Sequence, residues 1–525
     1  MRVDGRGRRG AFEALALGAV LLYLVGATAI ALTRPLWNDE LFTLHMASFP
    51  RLADTWTALL TGAEQLPLLY YCLMRAVVQG LGTSPVALRL PALLGYLAAG
   101  VALYVFLRRR IPQGYALTGA LLLGTVPYFY YASEARPYGL ILGLSGAALC
   151  CWQRLGEGRG RHLARLGLFL ALLGAVGSHY YALLTVIPLG LGQLVRSLKR
   201  RRIDGGTWAA LLLAPALALA LSLPLLASIR SAIHDFWAKA GPSDVLRFYI
   251  YFGKSAGLAL GVAVLVTFLA PLPARLPRVA HLHRVTWRGL APVLPADEWA
   301  AVLGFAALPL LQYGLSLVTG AYVDRYVLSA LLGLCILAVL PLPRLFGGAA
   351  RPGLVLALLV LGAACVRELA SFLRARQIQR DNEVALALLQ AEAREPIPIV
   401  TNHPSLLLEL TYYAPPELRR RLTYLADVGE ARRILGHTSM ERGVLTLVGP
   451  RFGARVEDYE TFMKAHPRFY VFGSFLPNFT WLLDGVQADG RPIELRHHDD
   501  LRQQYLFLVH PRAQALAPAA ARSAQ

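Results

Sequence analysis

The chain is short of charge. Of its 525 residues only 16% are Asp, Glu, Lys or Arg, while 56% are hydrophobic. That balance excludes a soluble globular protein and leaves a polytopic α-helical membrane protein. Acidic residues are the scarcer sign, 32 against 52 basic, for a net charge of +20. Such an excess raises nucleic acid as a partner. The basic residues, however, sit in short clusters between apolar runs, as in cytoplasmic loops, so no nucleic acid is expected. Cysteine is scarce as well. Cys72, Cys150, Cys151, Cys335 and Cys365 lie in or beside apolar segments with no metal-ligand spacing, and read as inert thiols. There is no internal repeat and no low-complexity tract. The first apolar run lacks a convincing small-x-small cleavage site and reads as a retained anchor. The polar C-terminal part of the chain has no GxGxxG loop, so no nucleotide is assigned to it.

What is present begins with that run, residues 11–32. About 20 apolar residues at 1.5 Å each cross a hydrocarbon core of ~30 Å. Arg2, Arg6, Arg8 and Arg9 precede it and mark a cytoplasmic N-terminus. Trp37-Asn38-Asp39-Glu40 then emerges on the far side. Residues 37–86 carry Asp54, Glu64, Gln65, Pro67, Arg75 and Pro85 and read as an outer loop of interfacial helices. Further spans are predicted at 87–107, 115–127, 137–152, 166–177, 182–195, 208–229, 248–270, 299–318, 327–342 and 353–366. With the first this makes about 11. Arg108-Arg109-Arg110, then Arg154, Arg159, Arg161 and Arg165, then Lys199-Arg200-Arg201-Arg202, residues 275–288, and Arg344 with Arg351 all fall on one side. His234, Asp235, Lys239 and Lys254 fall in an outer loop.

From about 371 the composition turns polar. Strand-like runs at 397–401, 422–426, 443–448, 469–473 and 504–509 alternate with helical ones at 405–410, 429–435 and 456–465. This predicts a transmembrane domain over 1–370 and an α/β extramembrane domain with a partly parallel sheet over 371–525. The parity of spans puts that domain on the outer face, with Asp39.

The outer ends of separate spans carry Asp39, Glu40, Gln65, Glu134, Arg136, Tyr138, His179, Tyr180, Asp324, Arg325 and Tyr326. Each alone has an ordinary reading: Arg136 as a snorkelling side chain, His179 as a core hydrogen-bonder, Asp324-Arg325 as a local ion pair. Their gathering on one face points elsewhere. Arginine's planar fork recognises phosphate oxygens in pairs. A lipid phosphate leaves as an anion, so one carboxylate base suffices to activate an acceptor, whereas ordinary glycoside hydrolysis needs a second carboxyl as acid. Asp39 suits that base. Glu40 suits holding a helix, orienting the acceptor or ligating a metal. A transporter or flippase of lipid-linked saccharides is the alternative, but would place polar groups near the midplane in paired halves. A scaffold binding partners through its tail leaves the charged loops unexplained.

These residues resemble the GT-C superfamily of membrane glycosyltransferases, near the protein mannosyltransferases, the aminoarabinose lipid A transferases and the rhizobial galacturonic acid transferases. The likeness covers roughly 12–345. It rests on Trp37-Asn38-Asp39-Glu40, Pro67-Leu68-Leu69-Tyr70-Tyr71, Ala87-Leu88-Arg89-Leu90-Pro91, Glu134-Ala135-Arg136-Pro137-Tyr138, His179-Tyr180-Tyr181 and Arg325-Tyr326. It implies a polyprenyl-phosphate sugar donor and a glycolipid, polysaccharide or protein acceptor. It further implies catalysis on the periplasmic face of a bacterial inner membrane. Asp39 matches the catalytic acidic position, with Glu40 beside it. Arg136 and Arg325 match positions near the donor phosphate, and Gln65, Tyr70, Glu134, Tyr138, His179, Tyr180 and Tyr326 match the substrate side. Relatives often place His or Lys before Pro-Pro-Leu-Tyr, where this chain reads Glu64-Gln65-Leu66-Pro67. Members differ in metal dependence, so the resemblance leaves a divalent metal open and clearly implies no cofactor.

Overall fold

The computed structural model describes residues 4–158, 160–232, 241–269, 293–319, 322–474, 480–499 and 502–512. Arg159, His234, Asp235, Lys239 and the 275–288 loop named above lie outside them. The chain forms two compact units. The first takes in the chain up to Pro35 and the helices between Phe42 and Gln377; the second takes in Leu36–Leu41 and the chain from Ile378.

Five helices of the described chain are long and apolar enough to cross a membrane: Gly10–Thr33, Pro85–Leu107, Tyr180–Arg200, Pro242–Leu269 and Ala350–Glu392. The number is seven if each of two bent pairs is one span. Gly205–Leu221 meets Leu223–Arg230 at 64°, and Ala296–Ala306 meets Leu308–Thr319 at 54°. Pro224 and Pro309, each without an amide donor, stand just past the breaks. The other predicted spans fall on helices that are shorter, more polar or run into 3₁₀ turns. Residues 115–127 are an example: Gln113–Leu121 is followed by tight turns at Leu122–Thr125 and Pro127–Ser133. The predicted change at 371 falls inside the 43-residue helix Ala350–Glu392. No glycine or proline stands between Gly362 and Pro396 to end it. The stretch expected to be an outer loop forms three helices, Asn38–Ala47, Leu52–Leu59 and Leu68–Leu81.

In the first unit, Pro85–Leu107 and Tyr138–Glu157 meet backbone to backbone. A Cβ on Gly95, Gly139 or Gly143 would overlap the main chain of the facing helix. Gly139 and Gly143 are the small-xxx-small spacing that lets membrane helices approach closely. Polar groups then divide between two ends of a helix about 34 Å long. Near its N-terminal end Arg89, fully buried, donates to the carbonyls of Ala31 (2.7 Å), Arg34 (2.7 Å) and Pro35 (3.0 Å). Those carbonyls are among the orphans at the end of the first span, so Arg89 fixes where the chain leaves it. At the other end Arg109 pairs with Glu157 (3.2 Å) and Arg110 with Glu298; Arg196 pairs with Asp297 (2.7 Å).

The second unit is a six-stranded sheet in the order β3-β2-β1-β4-β6-β5. Its strands are β1 (Ile399–Thr401), β2 (Leu422–Ala426), β3 (Val456–Asp458), β4 (Phe469–Gly473), β5 (Ile493–Asp499) and β6 (Gln504–Val509). β1 pairs in parallel with β2 and β4, β2 in parallel with β3, and β6 antiparallel with β4 and β5. β1, β2 and β4 are buried along their whole length, as expected of strands covered on both faces. The predicted strand at 443–448 is a helical turn, Val444–Val448. Its buried residues, Val444, Leu447 and Val448, are spaced at i, i+3 and i+4. The predicted helix at 456–465 begins only at Tyr459, because its first residues form β3.

Glu441 is buried in this unit and accepts hydrogen bonds from the Tyr424 hydroxyl and from Trp481 Nε1 (2.9 Å). Burial pushes its carboxyl up to about 7. The folded state therefore keeps a proton that the unfolded chain releases near the ordinary carboxylate range. Stability is full below that range and is lost as pH rises through 7. Glu409, also raised to about 7 by burial, adds to the same slope. His403, pushed down to about 4 by burial, opposes it only below its ordinary range. Between pH 6.5 and 8, thermal unfolding of the full chain should move down, by roughly 1 kcal/mol per carboxyl. Glu441→Gln should remove about half of that drop; an unchanged pH slope in this variant would refute the assignment.

Candidate functional site

Trp37-Asn38-Asp39-Glu40 starts a helix for local reasons. The Trp37 carbonyl accepts from the amides of Glu40 (2.9 Å) and Leu41 (3.0 Å), and both acids stand in the first turn, where the helix dipole favours negative charge. The two carboxylates have different surroundings. Glu40 is fully buried and its Oε2 accepts from the Trp37 amide (3.4 Å), half of a capping box. Asp39 is partly exposed, and its Oδ1 accepts from Asn38 Nδ2 (3.3 Å). Two further contacts hold the segment within the second unit: the Asn38 amide donates to Glu409 Oε1 (3.1 Å), and the Leu36 amide to the Tyr413 hydroxyl (2.6 Å).

Thr43 stands one turn after Asp39 on the same helix. In the first unit its hydroxyl accepts from Arg136 Nη1 (3.4 Å), while Arg136 Nη2 faces Glu64 Oε1 (3.4 Å). Arg136 and Glu64 are both buried, at 8% and 7% exposure, which rules out a guanidinium snorkelling to water. Tyr70 and Tyr71 are buried beside them, ring centroids 5.5 Å apart. Gln65 was singled out from sequence, but its neighbour Glu64 supplies the side chain on Arg136; the Gln65 amide donates to that carboxylate (3.2 Å). Glu134 is buried, and its carbonyl accepts from the Arg136 amide (2.7 Å).

A second cluster surrounds Tyr138. Arg325 Nε donates to its hydroxyl (3.0 Å) and the guanidinium lies 5.4 Å from its ring centre. The Tyr138 ring neighbours His179 (5.8 Å), Tyr326 (6.1 Å) and Tyr131 (5.4 Å). Tyr326 also contacts His179 (4.4 Å) and Tyr181 (4.9 Å). His179 Nδ1 accepts from the Tyr181 amide (3.2 Å) and lies within electrostatic range of both Arg136 and Arg325. Tyr181 thus joins the cluster, and its neighbour Tyr180 is partly buried beside it in the chain. Asp324 accepts from the Tyr128 hydroxyl (3.4 Å) and faces Arg247 (3.7 Å), so its charge is engaged away from Arg325. Among the described residues no group of three or more His, Cys, Asp or Glu is arranged to hold a metal ion.

No protein-family model matches the sequence, and no curated protein matches it. The fold does match solved structures. The apo crystal structure of ArnT from Cupriavidus metallidurans aligns over 94% of this chain and 98% of its own, with a TM-score of 0.55 and 15% identity. The crystal structure of the same protein bound to undecaprenyl phosphate aligns over 94% and 97%, with a TM-score of 0.53 and 15% identity. The chain is a multi-pass helical membrane protein with an ArnT-like fold.

Proposed function

We propose that the chain is a glycosyltransferase that moves a sugar from a polyprenyl-phosphate donor to an envelope glycolipid, polysaccharide or protein on the periplasmic face of a bacterial inner membrane. One observation carries the reading. Arg136 and Arg325 are held in buried aromatic and polar clusters at one end of the membrane unit, in a fold shared with a protein whose solved structure holds undecaprenyl phosphate.

The chemistry follows from those groups. Arg136 and Arg325 take oxygens of the donor phosphate. The Asp39 carboxylate accepts the proton of the acceptor hydroxyl or amine as that atom bonds to the anomeric carbon. The bond from the anomeric carbon to the phosphate oxygen breaks, its electron pair leaving with polyprenyl phosphate, and the sugar is inverted. Glu40, already engaged at the helix start, keeps Asp39 in place. Tyr138, His179 and Tyr326 hold Arg325 on the donor side. Glu64 stands beside Arg136, and Gln65, Tyr70 and Glu134 complete the substrate side.

Purified protein in liposomes with a labelled polyprenyl-phosphate sugar and envelope acceptor lipids tests this. Label should pass to the acceptor as polyprenyl phosphate is released; an intact donor after incubation with every acceptor class would contradict it.

A further inference from the structure

We propose that Tyr413 and Glu409 are positioning residues through which the C-terminal part of the chain sets the catalytic loop. The inference rests on the reading of Asp39 as the base. Both side chains lie on the helix Pro404–Tyr413, four residues apart and therefore on one face. They accept from two backbone amides two residues apart, Asn38 N–H at 3.1 Å and Leu36 N–H at 2.6 Å. Two points on one helix face holding two points on a backbone fix its direction as well as its place.

The Asn38 amide is one that a helix start leaves without an intrahelical partner, and the Leu36 amide lies just before the N-cap residue Trp37. Glu40 takes the Trp37 amide between them, so three successive donors, Leu36, Trp37 and Asn38, are engaged by side chains. The next residue is Asp39. Its backbone follows directly on the clamped stretch, while its side chain stays partly exposed.

The clamp is itself rigid. Pro404–Tyr413 follows directly on β1, has Pro404 in its first turn, and is capped by His403, whose Nδ1 accepts from the Ser405 amide (3.2 Å). Leu407, Leu408 and Leu410 bury its apolar side. A C-terminal domain otherwise without an assigned role thereby acquires one: it holds the reacting carboxylate's loop across more than 370 residues of sequence.

The test uses the full chain in the liposome assay. A misplacement near 1 Å at a reacting group costs up to ~10²-fold in rate. Tyr413→Phe and Glu409→Ala should each lower kcat roughly 10-fold with donor KM unchanged. Glu409→Gln, which keeps an acceptor oxygen, should restore it. Hydrogen exchange gives a second readout, since the Leu36 and Asn38 amides should exchange faster in the two disruptive variants. Thermal unfolding checks that each variant is folded, with Tyr413→Phe the gentler of the two. Wild-type kcat and unchanged exchange in both, beside an inactive Asp39→Asn, would overturn the clamp and leave the base intact. A fully active Asp39→Asn would instead overturn the base reading.

Discussion

Asp39→Asn should abolish sugar transfer, lowering kcat on the order of 10³-fold, as expected when a general base is removed. The replacement is nearly isosteric, and its Oδ1 can still accept from the Asn38 side chain. Donor KM and thermal unfolding should therefore stay at wild-type values, the signature of a group used only in the transition state. The neighbouring acid supplies the contrast. Glu40 is buried and bonded to the Trp37 amide, a bond that glutamine also makes. Glu40→Gln should thus cost less than about 10-fold. Two adjacent carboxylates with such different penalties would assign the chemistry to one of them. Equal losses, or none in Asp39→Asn, would remove Asp39 as base.

Arg325→Ala is the second large effect. A guanidinium on a departing phosphate acts where charge develops, and losing such a donor costs about 10²–10³-fold in kcat. The ordinary reading, a local pair with Asp324, makes a different forecast. Asp324 already has Tyr128 and Arg247 as partners, so breaking that pair would touch stability slightly and turnover hardly at all. Arg325→Lys should recover part of the rate through charge alone, because an ammonium lacks the fork. Tyr138→Phe removes the phenol that receives Arg325 Nε and should cost only a few-fold. Normal turnover in Arg325→Ala, measured on protein that unfolds at the wild-type temperature, would contradict a role at the phosphate.

Much of this was legible because the membrane separates chemistries sharply. Charge at the ends of apolar runs marked Asp39, Arg136 and Arg325 before any coordinate, and apolar runs between turn residues gave β1, β2, β4 and β6. What was missed has local causes. Gln65 and Glu64 precede a proline-led helix, in a turn where no period says which of two neighbours faces inward. The same holds for Tyr180 and Tyr181, in a 3₁₀ stretch rather than an α-helix. β5, Ile493–Asp499, is polar and largely exposed, an edge strand without the alternation that betrays one. Val444–Val448 has strand composition but helical spacing, and its packing decided between them. Thr43 carried no signal: a lone hydroxyl in an apolar helix gains meaning only from the arginine it meets. The contacts from Glu409 and Tyr413 lie 371 and 377 residues from their partners, beyond any local pattern.

Transfer itself is the most direct measurement. Liposomes holding the purified chain, a polyprenyl-phosphate donor labelled in the sugar and an envelope acceptor should yield labelled acceptor and free polyprenyl phosphate in equal amounts. Donor that crosses the bilayer with its sugar still attached, and no labelled acceptor, would show a carrier of lipid-linked sugars in place of an enzyme.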